Sequence, residues 1–125
     1  MFFTGLQNTG DILVFRLPIV SSTTSTEVTY IKTIASHNGV RDISALHYNA
    51  EQGVLYATYD DANLLRAIKP DGTVLREWHL PGKDQEGLTF KEDAMYLSKD
   101  FGSKGGDVFY YKPFFGIDQP IVTTD

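Results

Sequence analysis

Cysteine is absent from the 125 residues. That excludes a disulfide framework, a thiolate zinc site and a cysteine nucleophile, and it leaves the compartment open. Positive charge is scarce: 11 Lys and Arg stand against 16 Asp and Glu, a formal net charge of −5. A nucleic-acid binder needs a basic patch to neutralise phosphates, so no nucleic-acid partner is expected. Long apolar runs are missing, and no stretch approaches the roughly 20 apolar residues of a membrane helix. The opening stretch MFFTGLQNTGDILVF has no basic n-region and no apolar run of signal-peptide length, being interrupted by Gly5, Gln7, Asn8 and Asp11. The sequence therefore reads as soluble and unprocessed, with no membrane segment and no address that fixes its localisation.

Catalytic signatures are missing as well. There is no G-x-S-x-G elbow to activate Ser44 or Ser98, and no H-E-x-x-H. His37, His47 and His79 lie too far apart in sequence to make an i,i+4 pair, so each is expected to be structural or at the surface. The Gly-rich stretch at 99–106 lacks the spacing of a phosphate loop and the helix that follows one, and is expected to be a hairpin. No segment has a convincing amphipathic helical period.

What remains is rich in strand formers and turn formers. Hydrophobic residues make up 42% and charged residues 22%, values of one ordinary globular domain. β-branched and aromatic runs bounded by Gly, Pro, Asn and Asp predict strands near 2–6, 12–17, 28–34, 43–48, 54–59, 64–69, 73–80, 86–90, 94–98 and 107–112. A Ser/Thr-rich loop is expected at 21–26, Pro70-Asp71-Gly72 is a tight turn, and Ile121-Val122 is a candidate last strand. So many short strands with turns between them predict an all-β protein.

The strands repeat. Asp42-Ile43-Ser44-Ala45-Leu46-His47-Tyr48 aligns with Asp84-Gln85-Glu86-Gly87-Leu88-Thr89-Phe90 at a 42-residue offset. Asp60 and Asp100 close the strand that follows each segment. A second echo links Gly10-Asp11-Ile12-Leu13-Val14-Phe15-Arg16 with Gly106-Asp107-Val108-Phe109-Tyr110-Tyr111-Lys112. A unit of about 40 residues holding four short strands is the mark of a β-propeller blade. The expectation is a single propeller-like domain over 1–125, with about two and a half four-stranded antiparallel blades: a partial blade at 2–34, a full blade at 43–81 and a partial blade at 86–122. Two and a half blades do not close a ring, so either the chain is a fragment of a longer propeller or identical chains self-associate to close it. Eight Phe, seven Tyr and one Trp are many for this length. Most suit packing between blades, and Phe114-Phe115 is expected to mark a contact surface for a missing blade or a second chain.

Residues 42–90 carry a family pattern. It comprises the Asp42-Ile43-Ser44 opening, the acidic turn after Tyr56, Pro70-Asp71-Gly72, the Leu80-Pro81-Gly82 exit and the Asp84-to-Leu88 opening of the next blade. This resembles the SdiA-regulated family of β-propellers, which is similar in turn to the NHL-repeat and phytase-like esterase propellers. Gln85 stands where the family pattern has proline. The resemblance implies a propeller fold and, through the phytase-like relatives, calcium.

Asp42, Asp84 and Glu86 are the candidate metal ligands. They open successive blades, and equivalent loops of a propeller gather at one mouth of the channel. Clustered carboxylates suit a hard cation, so calcium is the expected ion. The competing expectation is that Asp42 and Asp84 bond their own turns. Asp60-Asp61-Ala62-Asn63 lacks the glycine and distant glutamate of an EF-hand loop and reads as a solvated turn. The function expected is a non-catalytic module that binds a small-molecule ligand or protein partner at the channel mouth, with calcium. The alternative is a calcium-dependent phosphoesterase- or esterase-like propeller that uses metal-held water.

Overall fold

The computed structural model describes residues 1–18 and 27–120. The loop expected at 21–26 and the strand expected at 121–122 fall outside them. Ten strands follow in order: β1 (Phe2–Gly5), β2 (Ile12–Arg16), β3 (Thr29–Ile34), β4 (Ile43–Asn49), β5 (Val54–Tyr59), β6 (Leu64–Ile68), β7 (Val74–His79), β8 (Gln85–Lys91), β9 (Ala94–Asp100) and β10 (Gly106–Tyr111). Among the described residues the only helical pieces are single 3₁₀ turns at His37–Gly39, Gly102–Lys104 and Gly116–Asp118.

The strands form three antiparallel sheets, ordered β1-β2-β3, β4-β5-β6-β7 and β10-β9-β8. Each is a meander in which strands consecutive in sequence pair side by side. The protein is all-β and blade-like, and its sheets do not close into a ring. The two segments that echo each other occupy equivalent places. β4 and β8 are the first strands of their sheets, and each carries the same register shift against the next strand, between Ile43 and Ala45 and between Gln85 and Gly87. Ser44 and Glu86 are the extra residues of these bulges.

Burial explains the composition of each strand. The middle sheet is covered on both faces. One face puts Leu55, Ala57, Tyr59, Leu64 and Ile68 against Ile12 and Val14 of β2. The other puts Val54, Tyr56, Leu65 and Ala67 against Met95 and Leu97 of β9. A strand buried on both sides has no solvent face to alternate with, so β5 and β6 read as unbroken VLYATY and LLRAI, every residue buried. Burying each such side chain contributes roughly 1.5–3 kcal/mol. The outer sheets are covered on one face, which leaves Tyr30, Val108 and Tyr110 exposed. β2 and β10 hold equivalent places beside β1 and β9 and look alike in sequence. β2 is partly buried because β3 and the middle sheet flank it; β10 is largely exposed.

Among the described residues, Arg66 is the one charged side chain buried in this core. Its side chain is 2% exposed, its Nε donates to Glu77 Oε1 at 2.6 Å, and its guanidinium lies 4.9 Å from the centre of the Tyr59 ring.

The tail after β10 corrects one expectation. Phe114 does not await a missing blade. Its ring lies 5.4 Å from Trp78 and 5.9 Å from Phe90, and its N–H donates to Asp93 O at 2.8 Å. Further along, Ile117 N–H donates to Tyr56 Oη at 3.0 Å and Arg76 Nη1 to Gln119 O at 2.6 Å. The tail folds back over the joint between the second and third sheets, because that joint offers aromatic rings and donors that the open side of β10 does not. Phe115 stays half exposed.

Candidate functional site

The candidate site lies where β4 and β8 begin. These two first strands pack side by side, so the corners that open them share one end of the molecule. Asp42 has φ 61° and Asp84 φ 64°. Asparagine and aspartate are the non-glycine residues that most readily accept this left-handed region. Each corner also pins the strand that follows. Asp60 N–H donates to Asp42 O at 2.9 Å, and Asp100 N–H donates to Asp84 O at 3.0 Å. The repeat in sequence is thus a repeat of one hydrogen-bonded corner.

These corners gather carboxylates. Asp42, Asp60, Asp84 and Asp100 are all near enough to act on Glu86. Glu86 is exposed, yet partial desolvation first, then the charges of Asp60, Asp100, Asp42 and Asp84, push its carboxyl above the ordinary glutamate range. Neither of the two ion pairs among the described residues neutralises any of the five. Three of them have one oxygen engaged. Gln7 Nε2 donates to Asp42 Oδ1 at 2.9 Å, Gln85 N–H to Asp60 Oδ1 at 3.2 Å and Gly102 N–H to Asp100 Oδ1 at 2.8 Å. The expected ligands Asp42, Asp84 and Glu86 therefore share one end of the inner strands. Among the described residues no three His, Cys, Asp or Glu side chains converge closely enough to hold a metal ion. The donors are of the right chemistry for a hard cation, and their spacing is not that of a coordination shell.

Gln85 was missed as part of this site. It is fully buried at the start of β8, and neither its amide oxygen nor its amide nitrogen has a partner. The equivalent residue of the preceding blade is Ile43, part of the apolar core. The signal available in sequence was the mismatch itself, an amide aligned with an isoleucine.

The other expected residues lie elsewhere. His47 sits in β4 against Phe90, ring centres 5.1 Å apart, and burial lowers its pKa from the usual histidine value. At the opposite end of β4, a cleft of about 400 Å³ is lined by Gln52, Tyr56, Phe90, Phe114, Gly116 and Asp118 among others. Gln52 is committed there to Tyr56 Oη and to Phe115 O. No helix among the described residues is long and apolar enough to cross a membrane.

Meandering antiparallel sheets, innermost strands packed in a row and a repeated acidic corner define a propeller-type chain. Residues 20–101 match the model of the SdiA-regulated family, and the chain belongs to that family. No match is found among curated proteins.

Proposed function

We propose that the chain is a non-catalytic propeller module that binds a positively charged partner at the acidic end of its inner strands, calcium being the ion to test first. What supports this reading is the gathering of five carboxylates, Asp42, Asp60, Asp84, Glu86 and Asp100, at one end with no ion pair among the described residues to offset them. Water completes many calcium shells, so carboxylates too far apart to chelate directly remain useful ligands.

The test is calorimetric titration with calcium alongside thermal unfolding, against sodium chloride of matched ionic strength. A ligand that binds only the folded chain stabilises it by about 2.7 kcal/mol at a hundredfold excess over its Kd. Calcium is expected to raise the unfolding temperature beyond the sodium control, and Asp84→Asn with Glu86→Gln is expected to remove that excess. An equal rise in sodium, or an unchanged response in the double variant, would overturn the reading. Calcium-dependent hydrolysis of a generic phosphate ester, lost in the same variant, would replace binding by a phosphoesterase-like activity.

A further inference from the structure

The cleft at the opposite end of β4 is independent of the acidic corners. Three described segments enclose it: the turn after β4 with Glu51 and Gln52, the end of β8 with Phe90 and Glu92, and the tail at 114–118. It lies at the joint of the second and third sheets, where Tyr56, Phe90 and Phe114 pack together.

The tail wall is fixed in place. Gly116 is buried at φ 61°, and a Cβ there would overlap the Tyr56 hydroxyl, so only glycine lets the tail come this close. Ile117 N–H donates to that hydroxyl at 3.0 Å. From the other wall, Gln52 Nε2 donates to Phe115 O at 3.0 Å and to Asp118 Oδ2 at 3.2 Å. The cleft is therefore formed before anything binds, which lowers the ordering cost of a ligand.

Its lining carries one sign of charge. The aromatic side chains of Tyr56, Phe90, Phe114 and Phe115 meet the carboxylates of Glu51, Glu92 and Asp118, and among the described residues no Lys, Arg or His lines the cleft. Neither of the two ion pairs among the described residues uses any of these three carboxylates. Arg76, whose charge is felt at Tyr56, is already held by Gln119 O at 2.6 Å and lies 4.8 Å from the centre of the Trp78 ring. Glu92 has φ 56°, a left-handed conformation that a turn alone would fill with asparagine or glycine. The chain's remaining residues supply no counter-charge either: 19–26 read IVSSTTST and 121–125 read IVTTD, without one Lys, Arg or His. Charge complementarity thus favours a cation from outside the chain. Aromatic rings attract a cation to their faces, and carboxylates accept its hydrogen bonds.

We propose that this cleft binds a small organic amine, its apolar body against the aromatic rings and its ammonium among Glu51, Glu92 and Asp118. A volume of about 400 Å³ is that of a small-molecule site.

The test follows the amide chemical shifts of the full chain during titration with phenethylamine, and with phenethyl alcohol as the uncharged control. Saturable one-to-one binding of the amine is expected, with the largest shifts at Gln52, Phe115 and Ile117 and with the alcohol bound roughly tenfold or more weakly. Glu51→Gln with Glu92→Gln should weaken the amine about fivefold and leave the alcohol unchanged. No saturable binding, equal affinity for amine and alcohol, largest shifts at Asp84 and Glu86, or unchanged affinity in the double variant would each overturn the proposal. Two results without amine would also overturn it. Nuclear Overhauser contacts from Phe90 or Phe115 to residues 121–125 would give the cleft to the chain itself, and shifts at Phe115 and Ile117 that grow with protein concentration would give it to a second copy.

Discussion

Replacing Gln85 by methionine should stabilise the protein. Gln85 is 0% exposed and its amide has no partner on either atom. A buried polar group without a hydrogen bond costs about 1–3 kcal/mol, and methionine has a similar length and flexibility without that group. The equivalent position in the preceding blade, Ile43, shows that an apolar side chain suits this place in a blade. The expected gain is about 1–3 kcal/mol. For a chain of this size that corresponds to a rise of about 3–6 °C in Tm per kcal/mol. Urea unfolding followed by circular dichroism measures it, provided the m-value is unchanged so that the shift in midpoint reports stability alone. The mirror experiment, Ile43→Gln, puts an unpaired amide between the first two sheets and removes apolar burial. It should cost about 2–4 kcal/mol. A loss of 1 kcal/mol or more in Gln85→Met, as an order of magnitude, would refute the reasoning, because it would mean that the amide has partners in solution.

Glu86→Gln should stabilise the chain near neutral pH and give no advantage in acid. The folded state holds the Glu86 proton more tightly than the unfolded state, so its contribution is fully present below the unfolded pKa and is lost as pH rises through the folded one. Unfolding curves of both proteins across acidic to neutral pH check this, and parallel curves would contradict it. Glu77→Ala leaves the Arg66 charge enclosed. Breaking a fully buried pair costs about 3–5 kcal/mol, but Glu77 is 43% exposed, so the expected loss, read from chemical unfolding, is about 1–3 kcal/mol. Phe114→Ala removes a half-buried ring from between Trp78 and Phe90 and should cost about 1.5–3 kcal/mol. Loss of protection at the Ile117 amide in hydrogen exchange would show that the tail has come away.

The strands were legible because their causes are local. Alternation, turn residues and the aligned aspartates placed β4, β5, β8 and β9 almost where they lie, and the match of 10–16 with 106–112 identified β2 and β10 as equivalent strands. The parts that were not legible depend on contacts distant in sequence. The docking of Phe114 rests on Trp78 and Phe90, and the Arg66–Glu77 pair forms only once β6 and β7 lie side by side in register. Gln85 stands just outside the strand expected at 86–90, in the opening of the next blade. In the structure β8 begins one residue earlier, at Gln85, and the side chain is enclosed there. At the acidic end, spacing alone brought Asp42, Asp84 and Glu86 to one place. It could not give their separations, which depend on how far the bulges at Ser44 and Glu86 turn the strands.

The corners themselves separate a structural role from a binding role. If the turn needed only left-handed backbone, glycine would serve without strain, as it does at Gly10, Gly53 and Gly72. Aspartate at both Asp42 and Asp84 therefore calls for a use of the side chain. For Asp42 that use is present, since its carboxylate accepts from Gln7, and Asp60 and Asp100 likewise hold backbone amides. Among the described residues the Asp84 carboxylate has no such partner, although its backbone carbonyl does the same work as that of Asp42. An aspartate that takes up an uncommon backbone conformation and leaves its charge unspent beside four other carboxylates is costly to the fold taken alone. The residue on which structure and binding part company is therefore Asp84. Asparagine there keeps the corner and removes the charge, so a change in cation response without a matching loss of stability would locate the site.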